Sequence, residues 1–124
     1  MWKYKLIIIL LLLTSYYISI QFPLFGDEAL YSIAIKDNIE LGLQPTATYF
    51  GQTMYWKPAL MFNVYAIIAS PLYGIIPEEI LFRTVSLLFV VLSLFVLFKF
   101  FKEEFKDEKK AYLGLIVILI TPCF

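Results

Sequence analysis

Read from the N-terminus, the chain alternates between long apolar runs and shorter mixed stretches. Residues 6–20 are nearly pure Ile, Leu and Tyr, and the apolar character runs on through Phe22 to Phe25. At about 1.5 Å per residue in a helix, that run is long enough to cross a hydrocarbon core of about 30 Å. A second run, residues 81–101, is rich in Val, Leu and Phe and predicts another spanning helix. A third apolar run begins at Ala111 and continues to the end of the sequence at Phe124, after Thr121-Pro122. Residues 59–76 are apolar but broken by Asn63, Ser70 and Pro71, so they predict a crossing or a helix lying in the interface.

The mixed stretches have patterns of their own. Residues 26–41 carry Leu30, Ile33, Ala34 and Leu41 near helical spacing, with acids in the first turn and Gly42 then Pro45 as a stop. This predicts an amphipathic helix too polar to span. The following TATYF-GQ-TMYW predicts two short extended runs around Gly51, leading into Lys57-Pro58.

Composition narrows the class. Of the 124 residues 61% are hydrophobic, more than a soluble domain of this size can hide, which makes a bilayer the expected solvent. Net charge is zero and no basic patch is interleaved with aromatics, which argues against nucleic acid. The sequence has no His, which removes the commonest general base and most zinc chemistry. The one Cys, Cys123, cannot form an internal disulfide. There is no glycine-rich phosphate loop, no CxxC and no internal repeat.

Charge orients the spans. Lys3 and Lys5 before the first run predict a cytoplasmic N-terminus. A cleaved signal peptide is the rival, but the run is long for one and no A-x-A-like site follows. Lys99, Lys102, Lys106, Lys109 and Lys110 cluster after the second run, so that loop prefers the cytoplasm. The expected fold is therefore an all-α integral membrane protein, multi-pass in the plasma or inner membrane. Its first span covers about 6–25 and an external loop with two juxtamembrane helices covers about 26–80. A second span runs over about 81–101, a solvated cytoplasmic loop over 102–110, and a third span starts at 111. Four crossings, with residues 59–76 traversing fully, are the alternative.

Three places carry candidate chemistry, each with a plainer reading beside it. Asp27 and Glu28 complement the positive end of a helix, or present a general base at the membrane surface to an acceptor hydroxyl or amine. Tyr31, four residues from Asp27, shares its face. Lys57, beside Trp56 and an aromatic belt, snorkels at the interface or holds a lipid phosphate. Arg83, near the outer end of the second run, snorkels or is paired and functional, with Glu78 and Glu79 as candidate partners or simple solvated acids.

The order of these features is more specific than any one of them. GDEALYSIA after a first span, then YWKPAL, then EEILFRTVS opening the second span resembles the N-terminal third or so of class-C membrane glycosyltransferases. Within that family the likeness is to the group that includes protein O-mannosyltransferases and the aminoarabinose transferase of lipid A. The D-E-A-x-Y pattern falls on Asp27, Glu28, Ala29 and Tyr31, the K-P-P-L pattern on Lys57 to Leu60, and the acid-to-Arg pattern on Glu79 to Ser86. The resemblance implies a polyprenyl- or dolichyl-phosphate sugar as donor, inversion at the anomeric carbon, and a protein, lipid or glycan acceptor at the outer face. It implies Asp27 as acceptor-activating base with Glu28 in support, Lys57 on the lipid phosphate, and Arg83 adding charge or a structural contact. No cofactor is implied, and no metal is required if Lys57 and Arg83 supply the positive charge. Leu30, Trp56 and Ala59 depart from the aminoarabinose pattern, so that substrate does not carry over. Family members are several times longer, which makes this chain an expected N-terminal fragment, inactive alone. A small structural or assembly membrane protein is the competing class; there Asp27 and Lys57 would tolerate neutral replacement.

Overall fold

A computed structural model describes residues 2–54 and 58–121 of the chain. It is mostly helical: α1 (Trp2–Ser19), α2 (Asp27–Glu40), α3 (Ala59–Ala69), α4 (Glu78–Phe105) and α5 (Glu108–Ile120), with a short hairpin of β1 (Ala47–Tyr49) and β2 (Gln52–Met54). The chain divides into two compact units, one of residues 1–21 and 87–124, the other of residues 22–86.

The first unit holds α1, α5 and α4 beyond Leu87. Among the described residues two helices, α1 and α4, are long and apolar enough to cross a membrane. They measure about 27 Å and 42 Å at the usual rise. No residue of α1 is buried, and Leu6, Ile9, Leu10, Leu13 and Ile18 lie exposed along it. Aromatic rings join the helices here: Tyr4 of α1 stacks on Tyr112 of α5 at 6.2 Å, and Phe98 of α4 meets the same ring at 4.7 Å. Gly114 makes the close approach of α5 to α4 possible, since a Cβ there would lie 3.0 Å from two carbons of the Phe101 ring. Gly114→Leu should therefore lower stability by about 1–3 kcal/mol through overpacking. Thermal unfolding in detergent checks this; an unchanged midpoint would refute the contact.

The helix of the first apolar run ends at Ser19, and a turn over Ile20 and Gln21 leads to Pro23. The solvated loop expected over 102–110 shrinks to Lys106 and Asp107 between α4 and α5. Lys and Glu are good helix formers, so the charged stretch extends α4 to Phe105. Asp107 then caps α5, accepting the Lys109 N–H at 2.8 Å.

The second unit is built around α2. Ala34, Ile35 and Asn38 are buried on one side of that helix, and Phe62, Ala66 and Ala69 are the buried face of α3, which packs against it. Tyr31 meets Phe62, fully buried, ring to ring at 5.6 Å. A polar tie lies beside this packing. Asn38 donates to Asn63 Oδ1 at 2.8 Å, and Asn63 donates to the Gln44 carbonyl at 2.8 Å, which fixes the chain leaving α2. The hairpin pairs Tyr49 with Gln52 in antiparallel register, closed by Phe50 and Gly51, both with positive φ, as a two-residue hairpin turn demands. Asp37 of α2 holds the tip by accepting the Gly51 N–H at 2.8 Å. The helix α3 is only about 16 Å long, about half a hydrocarbon core.

Candidate functional site

The candidate site lies within the second unit and starts with one glycine. Gly26 precedes α2 with φ 57° and ψ −125°, a conformation that side chains with a Cβ rarely adopt. The turn sets Asp27 and Glu28 into the first turn of α2 directly after Pro23 and Leu24. Helical spacing then separates the two acids. Glu28, Ser32 and Ile35 share one face, with Tyr31 adjacent, and all four line a cavity of about 260 Å³. Asp27 is exposed and is not among the lining residues. Its Oδ2 lies 3.5 Å from the Tyr31 hydroxyl, at the long limit of a hydrogen bond, so it reaches the cavity through Tyr31.

Arg83, on the second turn of α4, supplies the opposite charge. Only 9% of its side chain is exposed. Its guanidinium donates to the Phe22 carbonyl at 2.6 Å, to the Pro23 carbonyl at 3.2 Å and to Glu28 Oε2 at 2.8 Å. A rigid fork of donors is suited to three acceptors at once, a task a lysine ammonium does poorly. Glu28 remains half in water, with 55% of its side chain exposed. Arg83 pairs with Glu28, 55 residues away, and among the described residues it makes no ion pair with Glu78 or Glu79, the nearer acids that the sequence offered as candidates. Glu78 instead binds Lys36 of α2 at 2.9 Å.

The wall opposite carries hydroxyls. Tyr65 of α3 and Ser86 of α4 lie 3.0 Å apart, and Ser86 donates to the Phe82 carbonyl at 3.1 Å. Leu24, Met61 and Phe82 complete apolar walls. Ser32 is satisfied locally by the Ala29 carbonyl at 2.7 Å.

Of the residues expected to act together, Glu28, Tyr31 and Arg83 line this one cavity, and Asp27 adjoins it through Tyr31. Lys57 lies outside the described residues. Sequence reasoning missed Tyr65 and Ser86. Ser86 carried a signal, a hydroxyl inside an apolar helix, but its partner stands 21 positions away on another helix. Among the described residues no three His, Cys, Asp or Glu side chains gather as a metal site requires.

Beyond the cavity, a charged cluster joins α2 to Tyr73 and to Glu78 at the start of α4. The hydrogen bond to Glu78 raises the Lys36 ammonium above its ordinary value, against a smaller opposing effect of burial. Burial, then the hydrogen bond that Tyr73 donates to Glu40 at 3.2 Å, raises the Tyr73 phenol. Both groups hold their protons more tightly folded than unfolded. Their contribution is therefore complete below about pH 10 and lost as pH climbs through the raised values. Water screens both, so the loss should stay below about 1 kcal/mol. Unfolding followed from pH 8 to 11 should show it, and a Glu78→Gln, Glu40→Gln double variant should show less of it. An equal alkaline loss in that variant would exclude this cluster as the source.

No protein-family model, no curated protein and no solved structure matches the chain.

Proposed function

We propose that the chain is the N-terminal part of an inverting membrane glycosyltransferase. It would take a sugar from a polyprenyl- or dolichyl-phosphate donor and pass it to a protein, lipid or glycan acceptor at the outer membrane face. The observation that carries the reading is the Arg83–Glu28 bond. It joins the acidic motif after the first apolar helix to the Arg motif opening the second, around one cavity. The multi-pass arrangement belongs to the same proposal: N-terminus in the cytoplasm, residues 23–80 outside, and the lysines around α5 back in the cytoplasm. The shortness of α3 favours this over four crossings.

In the proposed reaction an acceptor oxygen or nitrogen forms a bond to the anomeric carbon as that carbon's bond to the phosphate oxygen breaks. The leaving electron pair goes with the lipid phosphate, and the acceptor proton passes to Asp27. Asp27 suits the role because it makes no ion pair among the described residues, whereas Glu28 is engaged by Arg83. Glu28 then orients the acceptor, and Arg83 is a positioning residue, because its donors already serve Glu28 and two carbonyls. Lys57 keeps the role of phosphate ligand that the resemblance gives it.

The second reading is a non-catalytic structural or assembly protein. One observation favours it: Glu28 and Arg83 satisfy each other, as a purely structural clamp does. Membranes from cells expressing the full reading frame, supplied with radiolabelled polyprenyl-phosphate mannose or another polyprenyl-phosphate sugar, decide between them. Label moving to an acceptor, with polyprenyl phosphate released, is the expected result. No transfer from any such donor, with the protein inserted and abundant, would leave the structural reading.

A further inference from the structure

We propose that the lysine-rich end of the first unit binds the headgroup of an anionic phospholipid. The proposal needs α1 and α4 to stand in a bilayer, and it is independent of the glycosyltransferase reading.

Three observations carry it. The first is a segregation of charge. Every charged side chain of this unit lies at one end: Lys3 and Lys5 at the start of α1, and the rest within residues 99–110, around the turn from α4 to α5. The last turns of α1 and α5 hold none. The charged end has seven lysines against four acids, so it keeps a positive excess although the chain as a whole is neutral.

The second is tertiary. The ring of Tyr4, which stands between Lys3 and Lys5, stacks on Tyr112 at 6.2 Å, and Phe98 meets Tyr112 at 4.7 Å. Lys109 and Lys110 precede Tyr112 by less than one helical turn. Three rings thus bring two lysine pairs from opposite ends of the sequence to one level. Aromatic rings gather where hydrocarbon gives way to headgroups, so this level is the one at which lipid phosphates lie.

The third is availability. Lys3, Lys5, Lys102, Lys106, Lys109 and Lys110 are all exposed. None of them forms an ion pair among the described residues, although Glu103, Glu104, Asp107 and Glu108 are near in sequence. Asp107 is engaged by the Lys109 N–H at 2.8 Å. Lys99, deeper in α4, lies over the Phe95 ring at 4.7 Å, so the positive zone begins among aromatic side chains.

These features select a lipid and not a free anion. A small anion in water is held by buried donors, and these ammonium groups are open to solvent. A phospholipid is already kept at this level by its acyl chains, so a modest attraction suffices to choose among lipids. A zwitterionic headgroup offsets its phosphate with its own cation, and an anionic one does not.

Lysines at the ends of spans also steer insertion, with no headgroup bound. The test removes that role by using the full chain in phosphatidylcholine nanodiscs, where the protein is already inserted and both faces carry the same lipid. Electron paramagnetic resonance of trace spin-labelled phosphatidylglycerol or phosphatidylcholine reports the lipid held at the protein surface. At low salt phosphatidylglycerol should associate about 3- to 10-fold more strongly than phosphatidylcholine. In about 1 M salt, where screening acts within about 3 Å, most of that preference should vanish. Lys3→Gln with Lys5→Gln should lower the preference about two- to threefold, as should Lys109→Gln with Lys110→Gln, and all four together should abolish it. The four Lys→Arg changes keep the charge and should keep the preference. Glu103→Gln with Glu104→Gln removes no lysine and should raise the preference about two- to fivefold. No preference in the parent protein at low salt would overturn the proposal, as would an unchanged preference in the fourfold Gln variant or no gain in the Glu103, Glu104 variant. Displacement of the lipid by inorganic phosphate, at an ionic strength where chloride does not displace it, would also overturn it by making the occupant a free anion.

Discussion

Asp27→Asn should reduce sugar transfer by about 10²- to 10⁴-fold, the usual contribution of a positioned general base. Asn keeps the shape and the ability to accept from Tyr31 at the 3.5 Å separation, but it cannot take a proton. Asp27 is exposed and forms no ion pair among the described residues, so folding should survive. Protein abundance, membrane insertion and the unfolding midpoint of the variant should match those of the parent. Its neighbour offers a contrast. Glu28→Gln removes the charge that compensates Arg83, so stability should fall together with transfer. Near-normal transfer by Asp27→Asn would take the base away from residue 27 and point to Glu28 or water.

Arg83→Met should destabilise the protein by about 2–3 kcal/mol. Methionine fills most of the volume but leaves the Phe22 and Pro23 carbonyls and Glu28 without the donors they use now. Breaking a fully buried pair costs about 3–5 kcal/mol. The lower figure applies because Glu28 is half exposed and water can take over its side. Arg83→Lys should recover little of the loss, since one ammonium cannot meet three acceptors in a plane. Chemical unfolding in a mild detergent measures both. A loss under about 0.5 kcal/mol in Arg83→Met would mean that the bond is marginal and that Arg83 snorkels, the plainer of its two expected roles.

The parts of this architecture written in local periodicity are legible in the sequence. Unbroken apolar runs mark α1 and α4, acids followed by helical spacing mark α2, and Gly51 between short extended runs marks the hairpin. The charged stretch 102–110 misleads because polarity reads as loop, while the helix propensity of Lys and Glu carries α4 through to Phe105. The pairing of Arg83 is the instructive case. Locally, Glu79 stands four residues before Arg83 on the same helix, the favourable spacing for an ion pair. The bond forms instead with Glu28, because the chain from Phe22 to the first turn of α2 brings two carbonyls and a carboxylate to the guanidinium, and only tertiary structure assembles those. Tyr65 and Ser86 escaped for the same reason. Motif order pointed to residues 27, 28, 31, 57 and 83 as a group; it held no information on which acid faces the cavity, a matter of 100° around a helix.

The central claim is that the acidic motif and Arg83 act as one unit at the cavity. A double-mutant cycle tests it most directly: Glu28→Gln, Arg83→Met and the pair together, each measured for unfolding free energy and for the rate of sugar transfer. The predicted result is strong coupling, at least about 1 kcal/mol in both, with the double variant little worse than the poorer single one. Effects that add within about 0.3–0.5 kcal/mol would show two independent residues and contradict the account.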